Sequence, residues 1–251
     1  MEATPGKREP KKQNWKYLDV TERDIRLMKM IVEQKFLTRP HVIENIFDGA
    51  RSYAKIRIRK LKKFGYLKAV KTLADEPESY LLGKAGIEAL REAGCIVGVR
   101  GFGAPDAQDS IEIAFYDHDK KVTDVRFLFE RLGMCKDWKS EKVLRAGTKG
   151  ERKVPDGVFR RNGKGIAIEV ELHVKKAHTY RKIFEVYERD PKIRYIFYVC
   201  GDASIRGKVM KEAGERWADR MCFVLYKELM EFGERAVLRT WRGSFALKEV
   251  L

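Results

Sequence analysis

The sequence predicts a mixed α/β chain in two parts: a helical N-terminal third closed by a β-hairpin, then a mixed sheet flanked by helices. Three observations carry this prediction. Apolar residues recur at helical spacing through three successive N-terminal stretches. A pair of short strand patterns around a turn-rich centre follows them. From about residue 111 onward, apolar strand patterns alternate with helical ones, which implies a sheet with helices on its faces.

The N-terminal elements are read in order. "TERDIRLMKMIVEQ" opens on Thr21 with Asp24 three residues later, a capping-box start, and Ile25, Met28 and Val32 mark its apolar face. "FLTRPHVIENIF" offers Thr38 as a cap with Pro40 in the first turn of a short second helix. "GARSYAKIRIRKLKKFGYL" carries Ala54, Ile58 and Leu61 at helical spacing and ends at Gly65. "YLKAVKT", the turn "LADEPES" and "YLLG" form the hairpin, and "KAGIEALREAG" a closing helix. Three helices, a hairpin and a helix are the order of a winged helix-turn-helix domain, expected over residues 19–96 behind a flexible basic lead-in, 1–18. Its third helix would enter a DNA major groove, with the wing, Lys68 to Pro77, on flanking backbone.

The charge points the same way. The formal net charge is +16, which suits a polyanionic partner, double-stranded DNA or RNA before an anionic membrane. Between Arg51 and Lys71 stand nine Lys or Arg and no Asp or Glu. Arg51, Ser52, Lys55 and Arg59 are the candidate groove contacts; Lys60, Lys62, Lys63, Lys68 and Lys71 are candidates for phosphates. The alternative is a solvated basic helix in an ordinary bundle. No run of 18 apolar residues marks a membrane span. The polar N-terminus does not read as a secretory signal. Cys95, Cys135, Cys200 and Cys222 lack CxxC or zinc spacing, so a cytoplasmic chain with reduced thiols is expected.

Gly-rich "VGVRGFGAPDAQDS" reads as a linker over 97–110, ahead of a second domain, 111–251. There a helix is expected from about Asp119 to Leu132, with strands in "DWKSEKVLR", "RKVPDGVFR" and "GIAIEVEL", the last two joined by an "NGK" hairpin turn. A helix in "KKAHTYRKIFEVYERD", the strand "KIRYIFYVC", a helix in "SIRGKVMKEAGERWA" and the strand "RMCFVLY" complete the pattern. Glu169 and Glu171 lie two apart in an Ile/Val-rich strand, so both leave the same face. Like charges side by side in a half-buried sheet need a positive partner. Lys175, Lys176 or Arg181 could supply it as a salt bridge.

Asp156 in "PDG" and Glu169 in "EVE", on adjacent strands of an α-β-β-β-α-β order, resemble the PD-(D/E)XK nuclease superfamily. The wider set "LTRPHVIENIF", "RIRKLKKFGYL", "YLLGKAGIEAL", "HDKKVTDVRF", "SEKVL", "PDGVF" and "IEVELHVKKAHTYRKIFEVY" is similar to the replication-relaxation family of plasmid and mobile-element proteins, which joins a winged helix to a nuclease-like domain. The resemblance implies a metal-dependent DNA endonuclease or nickase. Asp156 and Glu169 would hold Mg²⁺ or Mn²⁺ with the Val170 carbonyl, and Glu141 would be an additional ligand on the preceding strand. The superfamily places a Lys two residues after its second acid; this chain has Glu171 there. Lys175 or Lys176 would have to reach back, with Tyr180 and Arg181 at a phosphate. A noncatalytic DNA-binding accessory or regulator using the domain as a scaffold is the alternative. Other replication or mobilisation proteins, and a second copy meeting the helix Lys84 to Gly94, are further candidate partners.

His173 and His178 do not have the i, i+4 spacing of a zinc helix, and His118 between Asp117 and Asp119 reads as a helix start. The chain lacks a GxxxxGK[ST] loop, which argues against ATP-driven unwinding.

Overall fold

The computed structural model describes residues 18–95, 111–148 and 153–250. The first half is built as the periodicity predicts. Helix α1 (Glu22–Gln34) starts on a complete capping box, with the Thr21 hydroxyl accepting from the Asp24 amide and the Asp24 carboxylate accepting from the Thr21 amide. A two-residue strand, β1 (Leu37–Thr38), leads into α2 (Arg39–Asn45), and α3 (Arg51–Lys63) follows. Strands β2 (Leu67–Val70) and β3 (Ser79–Leu82) form the hairpin, β1 joins its β3 edge, and α4 (Lys84–Glu92) closes the unit. Leu27, Ile31, Val42, Ala54, Ile58, Leu61 and Leu90 meet in its core. This is the winged helix-turn-helix order.

The second half opens on α5 (Tyr116–Arg131), three residues earlier than expected. Strand β4 is only Lys139–Ser140, because "EKVLRA" turns into helix α6 (Glu141–Ala146). Strands β5 (Gly157–Arg161) and β6 (Lys164–Glu171) form the expected hairpin. Its turn residues Asn162 and Gly163 take φ of 51° and 75°, the left-handed pair that an Asn-Gly turn supplies. Helix α7 (Ala177–Glu188), β7 (Ile193–Cys200), α8 (Ala203–Ala213) and β8 (Met221–Leu225) come next. Helix α8 is shorter than the sequence pattern suggested because Gly214 ends it at φ 74°.

After β8 come α9 (Tyr226–Phe232), the hairpin β9 (Val237–Thr240) and β10 (Gly243–Ala246), and α10 (Leu247–Val250). The sheet order is β10-β9-β8-β7-β6-β5-β4, with β6, β7 and β8 parallel and the outer pairs antiparallel. The mixed α/β class predicted from the sequence is therefore the class found. Strand β6 is buried on both sides. Ile166, Ile168 and Val170 enter one core with Val125, Phe129 and Phe197, and Ala167 enters the other with Tyr180, Phe184 and Tyr187.

The expected 97–110 boundary lies outside the described residues, but the two halves touch directly. Helix α5 belongs to both: Val125, Leu128 and Phe129 pack under the large sheet, while Phe127 is buried in the winged-helix core. The Phe36 and Tyr116 rings stack at 5.0 Å. Arg126 pairs with Glu33 at 2.7 Å and His41 with Asp124 at 2.9 Å. The wing is also tied down, since Glu76 takes the Lys120 ammonium at 2.7 Å and the Tyr116 hydroxyl at 3.3 Å.

Candidate functional site

The sheet brings Asp156 to Glu169. Gly157 pairs with Ile168, so Asp156, one residue earlier, sits beside the end of β6 and accepts the Val170 amide at 2.7 Å. Both carboxylates are buried, at 6% and 4% exposure for Asp156 and Glu169. Their positive partner is Lys153, whose ammonium lies 3.0 Å from Glu169 and 4.0 Å from Asp156. The Tyr187 hydroxyl donates to the other Glu169 oxygen. Neither Lys175 nor Lys176 takes that place. Lys175 pairs with Glu171, and Lys176 is an exposed residue heading α7.

The electrostatics follow from this arrangement. Burial works against a charged Asp156, but Lys153, His118 and the Val170 amide outweigh it and hold the carboxyl well below the usual range. Burial dominates at Glu169, and with the Asp156 charge it raises this carboxyl despite Lys153 and Tyr187. For Lys153 burial opposes the charge, yet the two carboxylates hold the ammonium above its ordinary value.

A second ring of charge surrounds the pair. His118, on the first turn of α5, lies 3.3 Å from both Asp119 and Asp156. Burial alone would lower it, but hydrogen bonds to and charges on these two acids raise it to about 10. A group raised in the folded state gives its full stabilisation below its unfolded value near 6.5 and loses it as pH rises through 10. His118→Gln is therefore expected to flatten the stability curve between pH 6.5 and pH 10. Over that window the native chain should lose on the order of 2 kcal/mol more than the variant in urea titrations. An equal alkaline loss in both proteins would remove His118 from this role.

Lys35, at the end of α1, comes across from the winged helix. Its ammonium meets Asp119 at 2.9 Å and Glu141 at 3.4 Å. These groups line an open cleft of about 580 Å³ with Asp156, Val170, Glu171, His173, Lys175, Arg145 and Phe115. Its wall carries six carboxylates against the Lys, Arg and His118 cations, a reversal of sign in a chain of net +16.

Can these residues hold a divalent ion? Asp156 and Glu169 converge on one ammonium, which shows that a single cation can reach both. That fits a hard ion taking one or two carboxylates and completing its shell with water and phosphate oxygen. A cage of three protein side chains does not fit: among the described residues no three His, Cys, Asp or Glu are grouped to hold a metal. Glu141 heads helix α6 instead of lying on a strand, and is taken by Arg145 at 2.8 Å and Lys35. What Val170 shows at Asp156 is its N–H.

The other sequence candidates divide. Arg51, Ser52, Lys55, Arg59, Lys62, Lys63, Lys68 and Lys71 are solvent-exposed on α3 and the hairpin, with Lys60 half-buried. Arg57, the one basic residue of the Arg51–Lys71 run outside the candidate set, is structural: its Nε donates to Asp24 of α1 at 3.0 Å. Lys62 pairs with Glu78 at 2.7 Å, Arg51 approaches Glu44 at 3.8 Å, and Lys71 bonds the Glu76 carbonyl. Arg181 is exposed on α7, but Tyr180, expected at a phosphate, has no exposed surface. Its hydroxyl accepts from the Lys175 amide at 3.1 Å, so it shapes the loop after β6. Lys153, Lys35 and His118 were missed as site residues. Only Lys153 carried a local signal, a lone Lys three residues before the "PD" aspartate.

No curated protein matches the sequence, and no solved structure does. The described residues include no helix long and apolar enough to cross a membrane. The family model described as replication-relaxation matches residues 28–193, which run from the middle of α1 to the first residue of β7 and include Asp156, Glu169 and Lys153. The chain, two thirds of it covered by that match, belongs to the replication-relaxation family.

Proposed function

We propose that this chain binds double-stranded DNA through α3 and the wing in a replication- or relaxation-related role, and hydrolyses a phosphodiester bond at Asp156 and Glu169 with Mg²⁺ or Mn²⁺. The observation that carries the reading is the meeting of two buried carboxylates on one ammonium, with one of them, Asp156, lining an acidic cleft in a chain that is otherwise strongly basic. A bound divalent ion supplies Lewis acidity and a lowered pKa for its water, the chemistry that phosphodiester hydrolysis needs. The protein groups do the rest. Asp156 is held in its ionised form by the Val170 amide and His118. Glu169 is fixed by Tyr187. Lys153 brings a cation to Asp156 and Glu169 in a chain whose Glu171 stands where the superfamily pattern has its lysine. Lys35 and Lys175 stand at the cleft wall as phosphate contacts.

One observation favours a second reading, a noncatalytic accessory. Lys153 and Lys175 already neutralise Glu169 and Glu171 within the protein. Supercoiled plasmid incubated with Mg²⁺ or Mn²⁺ separates the two. The native chain is expected to give open-circle or linear DNA, and Asp156→Ala and Glu169→Ala are expected to give neither while still retarding the plasmid. Intact plasmid in every lane, at concentrations that retard its migration, overturns the hydrolytic reading and leaves the accessory.

A further inference from the structure

Helix α3 buries Ala54, Ile58 and Leu61 against the winged-helix core. At about 100° per residue, the stripe directly opposite runs Ser52, Ile56, Arg59 and Lys63, at i, i+4, i+7 and i+11. Three of these side chains are polar or cationic. Ile56 is not, and it stands near the middle of the stripe with 43% of its surface exposed.

Folding does not explain this placement. Ile56 joins none of the core clusters. Tyr53, the other large exposed apolar residue of α3, packs edge-on against Phe47 at 5.8 Å, with Arg23 over its ring. An isoleucine offers a phosphate nothing, since it has no donor. An apolar protein partner fits poorly too, because the helix sequence "RSYAKIRIRKLKK" surrounds Ile56 with cations and has no acid. A polyanion whose surface also presents an isolated methyl group fits both features. In the major groove of duplex DNA that group is the C5-methyl of thymine, the apolar element of the base-edge code.

We infer that Ile56 reads a thymine C5-methyl group in the duplex that α3 enters, making it a specificity-determining residue between Ser52 and Arg59. The inference rests on the DNA-binding half of the proposed function and not on cleavage.

The test uses the full chain without divalent ions. Duplexes are selected from a random library, and each thymine of the preferred one is replaced in turn by uracil, which lacks the methyl and keeps the hydrogen-bonding edge. Fluorescence anisotropy should show one replacement that weakens native binding about three- to five-fold, the loss of one buried methyl. Ile56→Ala should bind the parent duplex weaker by a similar factor and be indifferent to that same replacement. Ile56 is exposed, so an unchanged melting curve is expected for the variant. Native binding that ignores every thymine-to-uracil change, or an Ile56→Ala protein that keeps the native penalty, overturns the inference and leaves DNA binding standing. Failure of the native chain to bind any duplex overturns both.

Discussion

Lys153→Met is expected to cost the fold about 3 kcal/mol at neutral pH, and less in mild acid. Breaking a buried ion pair by removing one partner typically costs about 3–5 kcal/mol, because the other charge stays behind without compensation. Here the orphaned charges are Asp156 and Glu169, and the lysine side chain is 29% exposed, which favours the lower end of that range. The pH dependence follows from Glu169, whose carboxyl is already raised above its ordinary value and rises further without the ammonium. A carboxyl raised on folding gives its stabilisation below the unfolded value near 4.5 and loses it as pH climbs through the folded value. The gap between native and Lys153→Met proteins should therefore widen from pH 5 to pH 7 in urea unfolding. Adding Glu169→Gln should recover most of it at pH 7. A gap independent of pH would mean that the lysine stem packs and its charge does nothing.

Gly157→Ala is expected to be almost as damaging, and for a steric reason. The glycine of "PDG" needs no special turn; it makes room for a ring. A Cβ at that position would lie 2.0 Å from the Trp138 Cζ2 atom, 2.4 Å from Cε2 and 2.6 Å from Cη2. Trp138 is buried and stacks on Phe159 at 6.2 Å, so it has little freedom to retreat. Either the stack opens or β5 shifts and takes Asp156 with it. Overpacking of this kind costs about 1–3 kcal/mol, occasionally more. The variant should show a lower urea midpoint and an altered near-ultraviolet circular dichroism signal from tryptophan. Trp138→Phe in the same chain should restore part of the loss. Stability within about 0.5 kcal/mol of the native protein would contradict the contact.

What could be read from the chain beforehand was what local spacing encodes. Thr21 and Asp24 declare a helix start within four residues, and Asn162-Gly163 declares a hairpin within two. Asp156 and Glu169 were legible as a pair because they stand on adjacent strands in an order that resembles the PD-(D/E)XK superfamily, and the hairpin register bears out their proximity. Lys153 was not. Its distance from Glu169 depends on how the chain before β5 lies against β6, which no periodicity records. His118 shows the same limit differently: flanking acids made it look like a helix start, which it is, while its approach to Asp156 depends on how α5 packs under the sheet. Glu141 was misplaced because Lys139–Ser140 is too short a strand for alternation to show, and "EKVLRA" reads as well extended as helical. The region beyond Leu225 gave no strong pattern, since β9 and β10 have four residues each and leave Val237 and Phe245 exposed.

Helix α5 has a wider consequence. A nuclease tethered to a DNA reader by slack chain cuts wherever its tether reaches, and its products scatter. Here Phe127 is embedded in one core and Phe129, two residues on, in the other, while Lys35 and Glu76 hold the halves from either side. The angle and spacing between α3 and the acidic cleft are then set by packing. In the DNA-cutting role proposed above, such a molecule would behave as a caliper: whichever base pairs α3 gripped, the cleft would face the duplex at a constant offset and on a constant side.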